Sequence, residues 1–521
     1  MKTRLIVNLV SICAAAFGSL ALAAPSDPVV NTENGVVRGA ATESVAKFLG
    51  IPYAAPPVGE LRWQPPHPAA GWTGVRDATQ LAPHCPQAAS PFGLASTTED
   101  CLYLNVYTPA HIDRGQEHRK PVMVWIHGGA LVVGQSDDYD PTKFVERGDV
   151  VVVTINYRLG ALGFLAHPAL TAESPDHASG NYGFLDQQAA LQWVRRNIDR
   201  FGGDPDNVTI FGESAGGLST HTQLASPLAH GLFHRAIVES GAYQLRQQTL
   251  AAAEGLGSGL AGRVGCSDPV TAAACLRALP PQAFFADPAV RAISAPVVDG
   301  KVLTQSIGDA FSTGQFNQVP VMEGSNHDEW TLFVALNNEL VSGPITPAGY
   351  PAAIAGTLGI PLATATFIAN NIYPLAGYLN PGAALGALGT DAIFACNSRT
   401  AIRRLSQHVT TFGYEFSDPN APQLFLPPVS FPYKAYHASE IQYLFVGANS
   451  LLNATQLQLS DQMVSYWTTF ARNGDPNSAA TPAWPSYQAA TDQLQSFVPP
   501  TASTISNFAV DHKCAFWAPG T

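Results

Sequence analysis

The chain has 521 residues, of which 46% are hydrophobic and 13% are charged, and it contains 41 prolines and 45 glycines. This composition supplies ample apolar material for a large core with many turns. The formal net charge of −12 predicts a surface that repels nucleic acid and anionic lipid, so neither is expected as a partner.

The first 23 residues have the pattern of a secretory signal. Lys2 and Arg4 form a short basic start, and the apolar stretch that follows ends in small residues at Ala23. We expect cleavage after Ala23 and an exported protein, periplasmic or secreted. A membrane anchor is the alternative, but the small-residue end and the polar "APSDP" that follows argue against it. No later stretch has about 18 uncharged apolar residues, so no stable membrane insertion is expected.

Export determines how the seven cysteines are interpreted. Cys13 would leave with the signal, and the remaining six are an even number in an oxidising compartment, which favours disulfides. None forms a C-x-x-C pair, so the spacing argues against a zinc site. The six are Cys85, Cys101, Cys266, Cys275, Cys396 and Cys514.

The next patterns, in chain order, predict an α/β fold. Asn34-Gly35 is a hairpin signal between two short strands. The apolar runs "PVMVWIHGGA", "DVVVVTINYRLG", "NVTIFG" and "AIVESG" read as buried strands, and "NYGFLDQQAALQWVRRNIDRFGG" reads as a helix that Gly202-Gly203 ends. Buried strands alternating with helices over residues 100–240 imply βαβ units and a mostly parallel sheet.

From about residue 340 to 410 the pattern becomes helical and rich in Ala and Gly. Length alone suggests about three domains. Because no repeat and no long polar linker is present, we expect one domain over residues 24–521 with this helical excursion in its C-terminal half.

The stretch "IFGESAGG" places Ser214 between Gly212 and Gly216, directly after a predicted strand and before a predicted helix. In this context G-x-S-x-G predicts a nucleophile elbow, a strained turn that exposes a serine hydroxyl. Side chains two positions before and after the serine would collide, which explains both glycines. The motif alone also occurs by chance as an ordinary tight turn.

Five further stretches strengthen this interpretation. "FGGDPDNVTIFGESAG", "EDCLYLNVYTP", "WIHGGALVVG", "NYRLGALGFL" and "GNYGFLDQQAAL" resemble the type-B carboxylesterases, the family of the cholinesterases. The resemblance extends from about residue 30 to "KCAFW" near the C-terminus. It implies an α/β-hydrolase fold, in which helices flank a large mostly parallel sheet, and a serine hydrolase that cleaves carboxylic esters through an acyl-enzyme without metal or organic cofactor.

The resemblance also implies the partners of Ser214. The family's acid falls in "GSNHDE", which gives Glu329, and its base falls in "YHASEI", which gives His437. The order Ser, acid, His is that of α/β-hydrolases. Asp328 would be the acid if the register slipped, and His327 is read as a loop residue.

The oxyanion hole implied by the resemblance consists of the backbone N–H groups of Gly129, Ala130 and Ala215. Many relatives have Gly where Ala130 stands. The methyl group of Ala130 narrows the floor of the oxyanion hole and leaves the backbone N–H in place. His127 is expected to fix this loop. Three residues match family positions that support the histidine, with plain hydrogen bonding to backbone as an equal alternative: Glu213, Ser240 and Glu440.

The family pairs its cysteines in a way that implies three disulfides here: Cys85–Cys101, Cys266–Cys275 and Cys396–Cys514. The first loop contains no Trp, the residue with which cholinesterases hold quaternary ammonium by cation–π contact. We therefore expect uncharged rather than choline esters.

The stretch "DPAVRAISAPVVDG" has small residues where cholinesterases have rings, which predicts a roomy acyl side unless the loop at 330–345 refills it. Arg291 is another possible neighbour of this region. We expect a small-molecule ester, small to bulky, as the substrate. The alternatives are one natural-product ester, a carbamate or an amide; a lipase, against which the short first loop argues; and a non-enzymatic adhesion protein, against which the complete triad argues.

Overall fold

The computed structural model describes residues 27–112, 115–424, 426–447 and 450–519. The predicted signal at residues 1–23 lies outside the described residues.

The strands of the described residues are, in chain order, β1 (Val29–Thr32), β2 (Gly35–Arg38), β3 (Ala40–Ala41), β4 (Val45–Pro52), β5 (Val75–Asp77), β6 (Tyr103–Pro109), β7 (Lys120–Ile126), β8 (Val151–Ile155), β9 (Gly203–Glu213), β10 (Arg235–Glu239), β11 (Gln248–Thr249), β12 (Val297–Val298), β13 (Val321–Asn326), β14 (Thr411–Phe416), β15 (Leu494–Phe497) and β16 (Ser503–Ile505).

The α-helices of the same residues are α1 (Thr142–Gly148), α2 (Gly160–Phe164), α3 (Pro168–Glu173), α4 (Tyr182–Asn197), α5 (Ala215–Ala225), α6 (Leu250–Arg263), α7 (Ala272–Ala278), α8 (Val290–Ile293), α9 (Ile307–Thr313), α10 (Thr331–Val334), α11 (Leu340–Ser342), α12 (Tyr350–Leu358), α13 (Leu362–Asn371), α14 (Pro381–Gly389), α15 (Cys396–Leu405), α16 (Ile441–Leu444), α17 (Ala454–Asn473), α18 (Phe508–Asp511) and α19 (Cys514–Trp517). π-helical turns at Ala335–Glu339 and Thr390–Ala395 continue α10 and α14.

One large sheet organises the molecule. Its eleven strands follow the order β16-β15-β14-β13-β10-β9-β7-β8-β6-β4-β3. The pairs from β8 through β7, β9, β10, β13 and β14 to β15 are parallel, and the pairs towards both edges are antiparallel. Smaller sheets join β1, β2 and β5, and β11 with β12. The predicted mostly parallel sheet is therefore confirmed.

Both faces of this sheet are buried, as a parallel sheet with helices on each side requires. On β7, Val122, Val124 and Ile126 pack into one core, which also receives Leu191 of α4 and Leu218 of α5. The alternate residues Met123 and Trp125 pack into a second core with Phe144 of α1 and Trp467 of α17. The continuous apolar run on β7 is needed because neither face meets water.

The predicted local elements agree with the structure, with one shift. The four predicted strands correspond to β7, β8, the end of β9, and β10, and the predicted helix is α4 followed by one 3₁₀ turn, which Gly202 ends at φ +82°. In the first hairpin Thr32 pairs with Gly35, so the turn residues are Glu33 and Asn34, one position earlier than the sequence predicted. The helical excursion is formed by α12 to α15.

Three disulfides are formed in the pairing that the family resemblance implies. Their Cα–Cα distances are 5.0 Å for Cys85–Cys101, 5.6 Å for Cys266–Cys275 and 5.2 Å for Cys396–Cys514. Three disulfides are typical of a protein exported to an oxidising compartment.

Among the described residues no single helix has the length and hydropathy needed to cross a membrane; α12 and α13 reach them only together, across a bend of 116°. A large, mostly parallel sheet flanked by helices is the architecture of the α/β-hydrolase fold.

Candidate active site

The predicted elbow is the turn between β9 and α5. Ser214 has φ 56° and ψ −117°, a conformation that side chains rarely adopt. A Cβ at Gly212 would lie 2.5 Å from the carbonyl oxygen of Ile126, and one at Gly216 would lie 1.9 Å from the same oxygen. Both glycines are therefore required because the turn presses against the end of β7.

A chain of hydrogen bonds starts at this serine. His437 Nε2 lies 2.7 Å from Ser214 Oγ, and His437 Nδ1 lies 2.6 Å from Glu329 Oε2. These contacts join residues 223 and 108 positions apart in the chain. Glu329 is fully buried and the imidazole of His437 nearly so, whereas Ser214 is partly exposed. The three hydrogen-bonded side chains are therefore shielded from water except at the serine. The structure thus brings the three predicted residues together.

The carboxylate of Glu329 is held from its other side. Its Oε1 accepts hydrogen bonds from Ser240 Oγ at 2.5 Å and from the N–H of Asn326 at 2.8 Å. Asp328 contacts His327 and Lys434 instead. The carboxylate that faces His437 is therefore Glu329 and not its neighbour.

Of the other predicted acids, one touches the histidine directly. Glu213 Oε1 lies 3.3 Å from His437 Nε2. Glu440 accepts a hydrogen bond from the side-chain amide of Asn326. The backbone N–H of Asn326 donates to Glu329, so Glu440 is linked to the triad through Asn326.

Burial, followed by neighbouring carboxylates, raises the pKa values of Glu213 and Glu440 well above the usual range. The protonated form of each is favoured because a buried carboxylate loses its hydration and is repelled by the carboxylates around it.

The predicted oxyanion loop lies against the elbow. A Cβ at Gly128 would lie 3.3 Å from Ser214 Cβ. Gly129 and Ala130 have φ values of +97° and +55°. An alanine in this region is strained, because its Cβ comes too close to a backbone carbonyl oxygen. Ala215 is the first residue of α5, so its N–H has no acceptor within the helix and points out of the helix end.

His127 holds the start of this loop. Its ring stacks on Tyr157 at 4.4 Å, its Nδ1 lies 2.9 Å from the carbonyl oxygen of Gly128, and its own carbonyl accepts a hydrogen bond from Tyr157. Burial lowers the pKa of His127 to about 4, so the ring is neutral near pH 7. It has the surroundings of a packing residue.

Sequence reasoning missed two aromatic neighbours of His437. The rings of Phe333 and Phe394 each lie 5.0 Å from the imidazole, and they stack on one another at 6.0 Å. Phe333 belongs to α10, within the 330–345 stretch that the sequence flagged, whereas Phe394 lies in the π-helical turn before α15. No short-range pattern marks either as a site residue.

The stretch expected to line the acyl side forms the short helix α8. Val290 is half-buried, whereas Arg291 and Ala292 are exposed, so the arginine faces solvent. Ser294 and Ala295 are buried, and the Ser294 hydroxyl donates to the carbonyl of Val290. None of these positions carries a ring, as the sequence indicated.

Beneath the elbow lies a further buried acid. The carbonyl of Glu239 accepts the N–H of Ser214 at 2.8 Å, and its side-chain Oε1 accepts the indole N–H of Trp467 at 2.8 Å. Its Oε2 has no hydrogen-bond partner among the described residues. Burial raises the pKa of Glu239 from 4.5 to about 8.

We expect Glu239→Gln to remove a pH dependence of stability. Between pH 4.5 and about 8 the folded protein retains on Glu239 a proton that the unfolded chain has lost. The free energy of unfolding therefore falls as pH rises through this window. The contribution of Glu239 to this free energy is fully present only below pH 4.5. The amide mimics the protonated acid, so the variant should gain stability over wild type at pH 8 relative to pH 5. Urea unfolding at both values checks this, with the exposed Glu117→Gln as control; equal gains at both values would contradict it.

Comparison with known proteins identifies the family of this chain. The model of the carboxylesterase family matches residues 26–517. The chain is 35% identical to acylcarnitine hydrolase of Mus musculus over 88% of this chain and 86% of that protein. It is 34% identical to cocaine esterase of Homo sapiens (94% and 91%) and 35% identical to para-nitrobenzyl esterase of Bacillus subtilis strain 168 (89% and 93%). This chain therefore belongs to the carboxylesterase family and is a carboxylic ester hydrolase.

Proposed function

We propose that the protein hydrolyses uncharged carboxylic esters with a Ser-Glu-His triad. Ser214 Oγ attacks the ester carbonyl, and His437 Nε2 takes the serine proton and returns it to the leaving alcohol. Glu329 orients the imidazole and stabilises its protonated form. The observation that carries the proposal is the continuous contact from Ser214 through His437 to Glu329, at 2.7 and 2.6 Å.

The second half of the reaction uses the same groups. Water, deprotonated by His437, attacks the acyl-serine, and the acid leaves as Ser214 regains its proton. In both halves the tetrahedral oxyanion would be bound by the N–H groups of Gly129, Ala130 and Ala215. Removing one such donor typically costs about 100- to 1000-fold in rate.

Three neighbours would act by positioning. Ser240 holds Glu329 through its hydroxyl, and Glu440 holds Asn326, whose N–H binds the same carboxylate. The carboxyl group of Glu213, whose Oε1 lies 3.3 Å from His437 Nε2, would hold the imidazole ring in place. These roles follow from contacts and leave proton transfer to His437 alone.

The substrate class follows from what surrounds the site. Phe333 and Phe394 give an apolar wall at His437, and the described part of the first disulfide loop contains no Trp for a choline group. Small residues on α8 and after it favour space for acyl carbons. We therefore propose small to bulky uncharged esters as substrates.

Residues 1–23 would be the leader, and 24–521 a single catalytic domain that works in the periplasm or outside the cell. The family match over 26–517 and the three disulfides support this organisation.

An acyl series tests the proposal. It uses exported protein whose first residue, expected to be Ala24, has been determined. Esters from acetate to octanoate and benzoate, all with p-nitrophenol, should show kcat/KM rising about fourfold for each accepted carbon, since a buried CH₂ contributes roughly 0.8 kcal/mol.

Choline esters should show no preference over matched uncharged alkyl esters, so their kcat/KM should be no higher. A steady fall in kcat/KM from acetate onwards would contradict the acyl assignment. Faster cleavage of the matched amides or carbamates would point to one of those alternative substrate classes instead.

A further inference from the structure

A cluster of titratable side chains adjoins the turn that carries Glu329 but takes no part in the mechanism. It contains His327, which follows β13; Glu415, on β14; and His512, which follows α18. One ligand atom from each residue lies within 4.8 Å of the other two. His512 and Glu415 are buried, and the side chain of His327 is 43% exposed.

In both imidazoles Nδ1 contacts the carboxylate of an aspartate. His512 Nδ1 lies 2.6 Å from Asp391 Oδ1, and His327 Nδ1 lies 3.0 Å from Asp328 Oδ2. A metal-binding histidine typically binds the ion with one nitrogen and donates its other N–H to a carboxylate. Both rings already have that carboxylate, which leaves Nε2 of each as the ligand atom. His512 Nε2 lies 2.6 Å from Glu415 Oε1.

The supporting carboxylates are themselves held. Tyr373 donates to Asp391 at 2.6 Å, and Lys513 lies 3.7 Å from the same oxygen. Lys434 lies 3.3 Å from Asp328. A metal ion binds neutral imidazoles, so it must displace the proton of His512; three carboxylates and two ammonium groups then leave one net negative charge to face the ion.

We propose that Nε2 of His327, Nε2 of His512 and the carboxylate of Glu415 form a binding site for a divalent transition-metal ion of the zinc type. Two imidazoles and one carboxylate are a ligand set that zinc accepts, with water in a fourth position.

A cleft of about 310 Å³ lined by both histidines gives the ion and that water a path from solvent. Ligand atoms of a tetrahedral site lie about 3.3 Å apart, given bonds of about 2.0 Å. The distance between His512 Nε2 and Glu415 Oε1 must therefore increase slightly on metal binding. The half-exposed His327 ring must move towards the other two ligands.

Such an ion would be structural and take no part in ester cleavage. His327 lies two residues before Glu329, and His512 lies two residues before Cys514, which is bonded to Cys396. The ion would join the Glu329 turn, β14 and the C-terminal segment.

A proton is the competing occupant. The flanking carboxylates raise the pKa of His512 to about 10 despite its burial. Without a metal, His512 would be a charged bridge between Asp391 and Glu415.

Calorimetric titration of chelator-treated protein with zinc chloride tests the site. We expect one ion per chain and a higher Tm in its presence, because an ion that binds the folded state alone stabilises it. Cobalt(II) should give the visible absorption of a tetrahedral complex.

His327→Ala is the deciding variant, since this side chain is partly exposed and its loss is compatible with folding, which circular dichroism checks. It should abolish stoichiometric binding, the Tm rise and the cobalt spectrum. Asp328→Asn should weaken zinc binding about 10- to 100-fold.

The exposed His118→Ala is the matched control and should bind as wild type does. The absence of saturable binding in wild type, or equal affinity in wild type and His327→Ala, would overturn the proposal and leave His512 as an ionic bridge. These readouts do not depend on ester hydrolysis, so the proposed function can stand or fall separately.

Discussion

Replacing Ser214 with alanine is expected to lower kcat for p-nitrophenyl ester hydrolysis by about 10⁴- to 10⁶-fold while the fold is retained. The hydroxyl is the proposed nucleophile, and triad members act as one unit, so losing one costs nearly as much as losing all. His437→Ala should show a similar loss, and the double variant should be little worse than either single one. Steady-state rates of the purified proteins provide the measurement.

Thr222→Val is a suitable control for this experiment. Thr222 lies on the same helix, α5, and its hydroxyl donates to the carbonyl of Leu218 one turn earlier. The valine keeps the volume and removes the hydroxyl, so activity within a few-fold of wild type is expected. A Ser214→Ala protein that cleaves the ester at the wild-type rate would disprove the assignment of the nucleophile.

Glu329→Gln is expected to reduce kcat by about 10³- to 10⁴-fold. The carboxylate accepts the Nδ1–H of His437, which fixes the tautomer whose Nε2 can take the serine proton. An amide N–H₂ in that place would favour the opposite tautomer, and the protonated imidazole would lose its counter-charge. KM should change much less than kcat, because the residue is buried behind the histidine.

The matched control is Glu339→Gln. Glu339 ends the π-helical turn that follows α10 and is also buried. It accepts two hydrogen bonds, both from Ser430. Its variant should retain the activity of wild type. If both glutamine variants lost activity equally, or if Glu329→Gln kept full activity, the role proposed for Glu329 would be wrong.

The elbow could be predicted from the sequence because its requirements are local. The glycines at 212 and 216 are close to Ser214 in the chain, and the strand before and helix after it have their own patterns. The approach of Ile126, which makes both glycines necessary, comes from another strand, so only the structure identifies the atom that a side chain would strike.

The acid and base could be assigned only through the family resemblance. Nothing in the composition around His437 distinguishes it from thirteen other histidines, because its partners lie 108 and 223 residues away. The aromatic wall and the cluster around His512 were missed for the same reason. His512 and Glu415 are 97 residues apart, and the cysteine spacing that argued against zinc says nothing about histidine and carboxylate ligands.

The order of strands in the large sheet has a consequence for how the chain is made. Beyond β9 the strands join in chain order, β10, β13, β14 and β15, each parallel to the one before. A nascent chain that ends before Leu494 therefore presents β14, whose six residues are all buried in the finished protein, as an unpaired edge that carries two Phe and one Tyr. Such an edge recruits other chains and leads to aggregation. The last hairpin closes it: β16 pairs antiparallel to β15 and turns exposed Ser503 and Thr504 outward, so the sheet ends in a short polar strand.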